Sequence, residues 1–302
     1  MSLSCSRRKF LQSCALGAVG ASLESFTAPP QRIIDIHQHT HYHGRTDADL
    51  IAHQRAMGVT HTVLLPAGEF YGLEADCHGN ESVVSIVRQF PHEFSFFANE
   101  VADIPGARGE IKKFLRKGAI GIGEQKFKIP CSSRYIEIIA SLAREFDVPV
   151  LLHFQEGTYN TGFTEFYKIL QKFPTVNFIA HAQTWWANID SKYDGKSLYP
   201  KGKVAAGGLT EKLLADYPNM FGDLSAGSGV NALTRDEEFT RGFLDRHQSK
   251  LLSGSDCADA SGKIADCDGA RIIDAVRRLA SPNAQEKMLY ANAKKLLKLR
   301  RV

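Results

Sequence analysis

The sequence predicts an α/β fold, a (β/α)8 TIM barrel. Two features carry that prediction. Short apolar segments alternate with amphipathic ones from residue 31 to the end of the chain, and several of the apolar segments stop at a histidine or an aspartate. An open doubly wound sheet is the competing architecture. It announces itself by a glycine-rich phosphate loop after the first strand, and here the first strand runs into histidines instead.

Strands are expected at 32–39, 60–66, 94–101, 119–127, 148–154, 176–182, 220–225 and 250–255, each bounded by Gly, Pro, Asp or Asn. Helices are expected at 47–58, 81–90, 110–118, 164–173, 209–217 and 236–247. The clearest helical stripe is Tyr135, Ile136, Ile139, Leu142, Ala143 and Phe146, which follows Ser132-Ser133. Residues 187–208 read as a long loop after the sixth strand, and 270–299 as helices that close the barrel. No repeat or composition shift marks a second folded domain.

The composition is that of a globular enzyme, with 43% hydrophobic and 23% charged residues. This argues against a disordered or fibrous chain. Part of the net charge of +4 comes from clusters near the two ends, so nucleic acid is not an expected partner. Residues 1–30 read as a twin-arginine-type signal: Arg7-Arg8-Lys9-Phe10-Leu11 precedes a weakly apolar run of small residues too short to span a bilayer. The barrel domain is then 31–302. The mature chain is expected in the periplasm without a stable membrane anchor. Beyond the signal, Cys77, Cys131, Cys257 and Cys267 match no zinc-knuckle spacing. Cys257 and Cys267 could pair in an oxidising compartment, and buried free thiols fit equally.

The chemistry concentrates at strand ends. In Asp35-Ile-His37-Gln-His39 the two histidines are two apart on a strand, so they share a face. His153 ends Val148-Pro-Val-Leu-Leu-His153, His181 ends Phe178-Ile-Ala-His181, and Asp256 follows Leu251-Leu-Ser-Gly-Ser255. In a barrel these ends converge on one mouth, where a divalent metal can be held. Glu124 and Lys126, also two apart on the fourth strand, share a face and can both point inward. Asp223 is placed to orient a metal-ligand histidine. No serine nucleophile elbow, phosphate loop or cysteine nucleophile motif competes.

With these residues in place, the chain after residue 30 resembles the amidohydrolase superfamily, in particular its amidohydrolase-related branch that includes aminocarboxymuconate-semialdehyde decarboxylase. The resemblance rests on Asp35-Ile-His37-Gln-His39, Gly121-Ile-Gly-Glu124-Gln-Lys126-Phe, Pro149-Val-Leu-Leu-His153, Ile179-Ala-His181, Gly254-Ser-Asp256 and the closing Lys287-Met-Leu-Tyr-Ala-Asn292. It implies a divalent metal, commonly zinc, at His37, His39, His153 and Asp256, with His181 in or near the shell. Gly123-Glu124 resembles the bridging glutamate of the superfamily's metal-dependent deoxyribonucleases. Lys126 is either carbamylated or a plain cation for a substrate carboxylate, so one or two ions remain open.

His41, Lys126, Trp185 and Trp186 are the expected substrate contacts, the tryptophans as pocket walls. His43 extends the histidine run, while Arg45 and Arg241 read as solvated. The expected activity is hydrolysis of a C–N, C–O, ester or lactone-type bond in a small molecule, with Asp256 and His181 as catalytic groups. Decarboxylation of an unsaturated acid is the alternative, and a non-catalytic binding barrel a more distant one. The partner is the small-molecule substrate, with a homo-oligomer left open.

Overall fold

The computed structural model describes residues 31–68, 76–265, 267–300 and 302. The expected signal segment lies outside these residues. Eight strands appear in the expected places: β1 (Ile34–Gln38), β2 (His61–Leu64), β3 (Phe94–Phe96), β4 (Ile122–Gln125), β5 (Val150–His153), β6 (Phe178–His181), β7 (Met220–Asp223) and β8 (Leu251–Leu252). Neighbours pair in parallel as two arcs, β1-β2-β3 and β4-β5-β6-β7-β8. A parallel bridge from Ala98 to Ile122 joins the arcs on one side. On the other, Ile36 N–H donates to Ser253 O at 3.0 Å, which closes the ring. The chain is therefore a (β/α)8 barrel, as the alternation of segments predicts.

Helices α1 (Asp47–Ala56), α2 (Asn80–Gln89), α3 (Ala107–Arg116), α4 (Arg134–Phe146) and α5 (Tyr167–Lys172) follow the first five strands in turn, and α6 (Gln183–Ala187) and α7 (Leu209–Asp216) lie between β6 and β7. After β7 come α8 (Ala226–Thr234) and α9 (Glu237–His247), and after β8 come α10 (Asp268–Leu279), α11 (Pro282–Glu286), a π turn (Lys287–Ala291) and α12 (Asn292–Leu296). Inside the ring, Ile34, Ile36, Val63, Leu65, Phe97, Leu151, Ile179 and Leu252 form one apolar cluster. Tyr290, Ala293, Leu296 and Leu297 plug its floor. The outward strand residues, among them Leu64, Phe96, Val150, Phe178 and Met220, pack on the helices.

Three local features depart from the sequence reading. The eighth strand is two residues long, because Ser253 N–H leaves the ladder for Met288 O at 3.0 Å. α6 and α8 were not anticipated. The α8 sequence, Ala-Gly-Ser-Gly-Val-Asn-Ala-Leu-Thr, has weak helix propensity, so tertiary packing forms it. Gly229 is needed there because a Cβ would lie 1.8 Å from Leu224 O.

β1 and β4 carry irregularities that position the site. Between Asp35 and Gln38 the β1–β2 register spends three steps against two on β2, and β4 does the same against β5 between Ile122 and Gln125. Each is a bulge with one extra residue, which reverses which face the following side chains take. Ile34 and Ile36 face the interior, and an undisturbed strand would then turn His37 and His39 outward. The bulge brings both inside, and the one in β4 does the same for Glu124. Gly123, at φ +145°, permits the second: a Cβ there would approach Leu151 O to 2.8 Å.

Candidate metal centre

Six side chains from five strand ends meet above the apolar plug, and all are nearly excluded from solvent. His37 Nε2 and His39 Nε2 lie 3.1 Å apart. Glu124 Oε2 is 3.5 Å from the first and 3.4 Å from the second. Asp256 Oδ1 is 3.7 and 3.5 Å from the same two nitrogens. His181 Nε2 reaches Asp256 Oδ2 at 3.2 Å and Glu124 Oε1 at 3.9 Å. His153, beside His181 in the β5–β6 register, places Nδ1 2.6 Å from Glu124 Oε1.

The hydrogen bonds behind these groups fix where the protons are. His39 Nδ1 donates to Leu65 O at 2.7 Å, since a carbonyl only accepts. His37 Nδ1 donates to the Asp223 carboxylate at 2.7 Å. Ser225 Oγ donates to Asp223 Oδ2 at 2.7 Å and accepts from His181 Nδ1 at 2.9 Å. All three rings therefore turn an Nε2 lone pair toward the centre. Two ring nitrogens facing each other at 3.1 Å, with two carboxylates alongside, call for positive charge between them, a proton in the metal-free chain or a shared cation. Asp256 Oδ1 is buried with no hydrogen-bond partner, as an oxygen reserved for such a cation would be. The donor set of imidazole nitrogens and carboxylate oxygens suits zinc or a similar divalent ion. The residues present thus fit the group.

Charge shows the same demand. Burial pushes His37 toward neutrality, but Asp256 and Glu124 outweigh it and hold the imidazole well above its ordinary value of 6.5. Burial would raise Glu124, yet His153 and His37 bring it well below the usual carboxylate range. Asp256 is likewise lifted by burial and lowered further by His37, His181 and His39. In the metal-free chain a proton on His37 balances the two carboxylates, where a divalent ion would otherwise do so.

The supporting backbone is specific. Asp35 accepts from His37 N–H and Ser255 N–H, both at 2.9 Å, which ties the β1 end to the β8 end. Asp256 N–H donates to His37 O at 2.8 Å. Gly254 admits this close approach: a Cβ there would sit 2.5 Å from Asp223 Oδ1 and 3.0 Å from His37 Cβ. Ala182, Ala226 and Asp256 have left-handed φ values of 82°, 62° and 40° at the ends of their strands, strain of the kind that gathers at functional sites.

A cavity of about 410 Å³ opens onto the centre, with Tyr42, Lys126, His153, His181, Tyr199 and Asp256 in its wall. Lys126 is inward as expected, its Nζ 5.3 Å from the Tyr159 ring centroid. His43 lines the cavity. His41 instead stacks on His78, ring centroids 4.0 Å apart, in a left-handed conformation at the rim. Trp185 and Trp186 are core residues, not pocket walls. α6 starts directly after His181 and turns both indoles inward, Trp185 against Phe163, and Trp186 against Phe243 with its Nε1–H on Asp223 O at 3.0 Å. Arg45 is buried, not solvated, and donates to Cys257 O at 2.7 Å and Asp259 O at 2.8 Å. Arg241 stays exposed.

Sequence reasoning missed Ser225 and Tyr42. Ser225 is two residues beyond Asp223, the same alternation that pairs His37 with His39. Tyr42 gave no signal, because a short 3-10 turn (Tyr42–Gly44) after β1 delivers its ring to the His39 edge, centroids 5.1 Å apart.

No protein-family model matches the sequence, and no curated protein matches it. Solved structures do. An uncharacterized TIM-barrel protein from Bordetella bronchiseptica is 14% identical at a TM-score of 0.63, over 88% of this chain and 98% of that one. A putative 2-pyrone-4,6-dicarboxylic acid hydrolase from Pseudomonas putida is 16% identical at 0.60, over 88% and 97%. The 2,6-dihydroxybenzoate decarboxylase from Rhizobium is 12% identical at 0.56, over 89% and 99%. At these identities the likeness establishes the barrel fold.

Proposed function

We propose that the chain is a metal-dependent hydrolase of the amidohydrolase superfamily that cleaves a C–N, C–O, ester or lactone-type bond of a small molecule. The observation that carries this reading is the set of three imidazoles with Nδ1–H tied behind them and Nε2 aimed at two carboxylates, one of which keeps an unpartnered buried oxygen. His37, His39, His181, Glu124 and Asp256 would hold one or two divalent ions, with His153 joining through Glu124. When bound, such an ion supplies Lewis acidity and lowers the pKa of a water toward ~7.

The chain's own groups supply proton transfer and positioning. Asp256 stands at the cavity wall with its carboxylate ionised, so it can accept a proton from an attacking water and return it to the leaving group. Tyr42 faces it. The Asp256 charge, with burial, drives the Tyr42 pKa upward, so the phenol keeps its proton and serves as a hydrogen-bond donor to substrate. Glu124 spans the centre, one oxygen toward His37 and His39 and the other toward His153 and His181, as a bridging carboxylate would.

Decarboxylation of an unsaturated carboxylic acid is a second reading. Lys126 favours it, since it places a cation in the wall of a cavity that the first turn of α8 also lines, where Ser228 Oγ is buried without a partner. The similar structures include both a hydrolase and a decarboxylase by name. Elemental analysis of the purified chain, then turnover assays on lactones, esters, amides and unsaturated acids, tests both. A chain that takes up no divalent metal at the barrel mouth refutes the proposal. Carbon dioxide release without hydrolysis selects the second reading.

A further inference from the structure

A second group of metal-ligating side chains lies outside this centre. His53 comes from α1, Cys257 and Asp259 from the segment just after Asp256, and Cys267 from the N-cap of α10. Their ligand atoms all lie within 4.8 Å of one another. His53 Nε2 is 3.1 Å from Cys267 Sγ, 3.8 Å from Cys257 Sγ and 3.7 Å from Asp259 Oδ2. The two sulfurs are 3.4 Å apart, well beyond the ~2.05 Å of a disulfide bond. His53, Cys257 and Cys267 are buried, and the Asp259 side chain is 18% exposed.

These separations have a simple geometric meaning. A tetrahedral zinc ion with ligands at ~2.0–2.3 Å has edges of roughly 3.3–3.8 Å. Four of the six separations, at 3.1–3.8 Å, fall close to that range, and the two between Asp259 and the sulfurs are within 4.8 Å. We propose that His53, Cys257, Asp259 and Cys267 form a structural zinc site that clamps the segment after β8 onto α1 and the start of α10. The site is closed, with four protein ligands and no position left for substrate, which distinguishes it from a catalytic zinc.

Its surroundings are built to hold the ligands. Arg45 and Gln38 fasten the Cys257 carbonyl at 2.7 and 2.8 Å, and Arg45 also takes the Asp259 carbonyl. Asp259 Oδ2 accepts from Ser261 N–H at 2.9 Å and Gly262 N–H at 2.7 Å, which orients the carboxylate. Gln54 lies 3.3 Å from His53 Nδ1. With its amide turned so that the oxygen faces the ring, it accepts Nδ1–H and leaves Nε2 free to ligate, while Thr62 Oγ1 remains its partner on the other side. Binding releases one proton from each thiol to solvent and involves no oxidant. The consequence for the barrel mouth is direct: Asp256 precedes Cys257, so the clamp holds the strand end that carries the proposed proton acceptor.

Cobalt(II) substitution reads this site separately from the barrel centre, whose six converging side chains are histidines and carboxylates without a thiolate. The full chain, purified without chelator or oxidant and exchanged with cobalt, should show a near-ultraviolet thiolate-to-cobalt charge-transfer band. Cys257→Ser and Cys267→Ser should each weaken or abolish that band, keep the visible absorption of cobalt bound at the barrel mouth, and lower zinc by one ion per chain. Asp259→Asn, a milder change, should keep the band and shift it. Absence of the band in the cobalt-loaded native chain overturns the proposal, and so does a disulfide-linked Cys257–Cys267 peptide in that material. Failure of the hydrolase reading would leave the band unchanged.

Discussion

Asp256→Asn isolates proton transfer from everything else Asp256 does. The backbone tolerates the change: the φ of 40° is one that asparagine adopts at least as readily as aspartate, and the N–H bond to His37 O at 2.8 Å involves no side-chain atom. The amide oxygen can still take the place of Oδ1, 3.7 and 3.5 Å from the His37 and His39 nitrogens. What asparagine cannot do is accept a proton. General acid–base groups typically contribute about 10²–10⁴-fold, or roughly 2.7–5.4 kcal/mol of barrier at ~1.36 kcal/mol per decade. We therefore expect kcat to fall at least ~10²-fold with metal content retained, measured by steady-state kinetics on metal-replete enzyme. The acidic limb of the pH–rate profile should flatten with it. Near-normal turnover in a metal-replete Asp256→Asn chain refutes the general-base role, and joint loss of metal and activity reduces Asp256 to a ligand.

His37→Ala and His39→Ala each remove one of two facing lone pairs, so elemental analysis should find the barrel-mouth metal depleted in both; full occupancy would remove these residues from the ligand set. Glu124→Gln keeps the shape but not the charge that spans both histidine pairs, and is expected to lower metal by one ion per chain; an unchanged count confines Glu124 to its bond with His153. Asp223→Asn withdraws the charge behind His37 Nδ1 and Ser225, and such supporting carboxylates are worth ~10–100-fold in metal affinity; a dissociation constant within twofold of native contradicts that role. Metal-free chain has an opposite pH response at each end. Glu124 and Asp256, both lowered, stabilise the fold above their ordinary values of 4.5 and 3.8, whereas His37, raised, stabilises it below 6.5 and loses that contribution as pH climbs through its folded value. Thermal unfolding with a chelator should therefore peak in mildly acid buffer and decline toward alkaline pH; a flat profile from pH 6 to 9, across the ordinary value at which His37 of the unfolded chain releases its proton, would count against the buried His37–carboxylate balance.

The strand ends were legible because periodicity and punctuation mark where a buried parallel strand stops, and chemistry placed at those stops must converge once the strands close into a ring. His37, His39, His153, His181 and Asp256 follow from that rule alone. Helix α8 was not legible, since its glycines and serine give it no local preference and its formation depends on packing against the rest of the barrel. The same limit applied to the tryptophans. Their position after His181 suggested a pocket wall, but whether an indole faces cavity or core depends on the direction in which the following helix leaves the barrel.

From its pattern of segments, the amino-acid sequence determined the barrel, the order of its elements and the identity of the residues at its mouth. Strand alternation said that His37 and His39 share a face, and that Glu124 and Lys126 do, but not which face that is. Tertiary structure decided this through the bulges in β1 and β4, where one extra residue against the neighbouring strand turns those side chains inward. It also decided which nitrogens carry protons, because Leu65 O, Asp223 and Ser225 arrive from other strands to take them. Distance along the chain explains the division. His53 and Cys267 are 214 residues apart, and His37 and Asp223 are 186 apart, so no local pattern records that they touch. Only the closed ring of strands and the helices around it bring such pairs together.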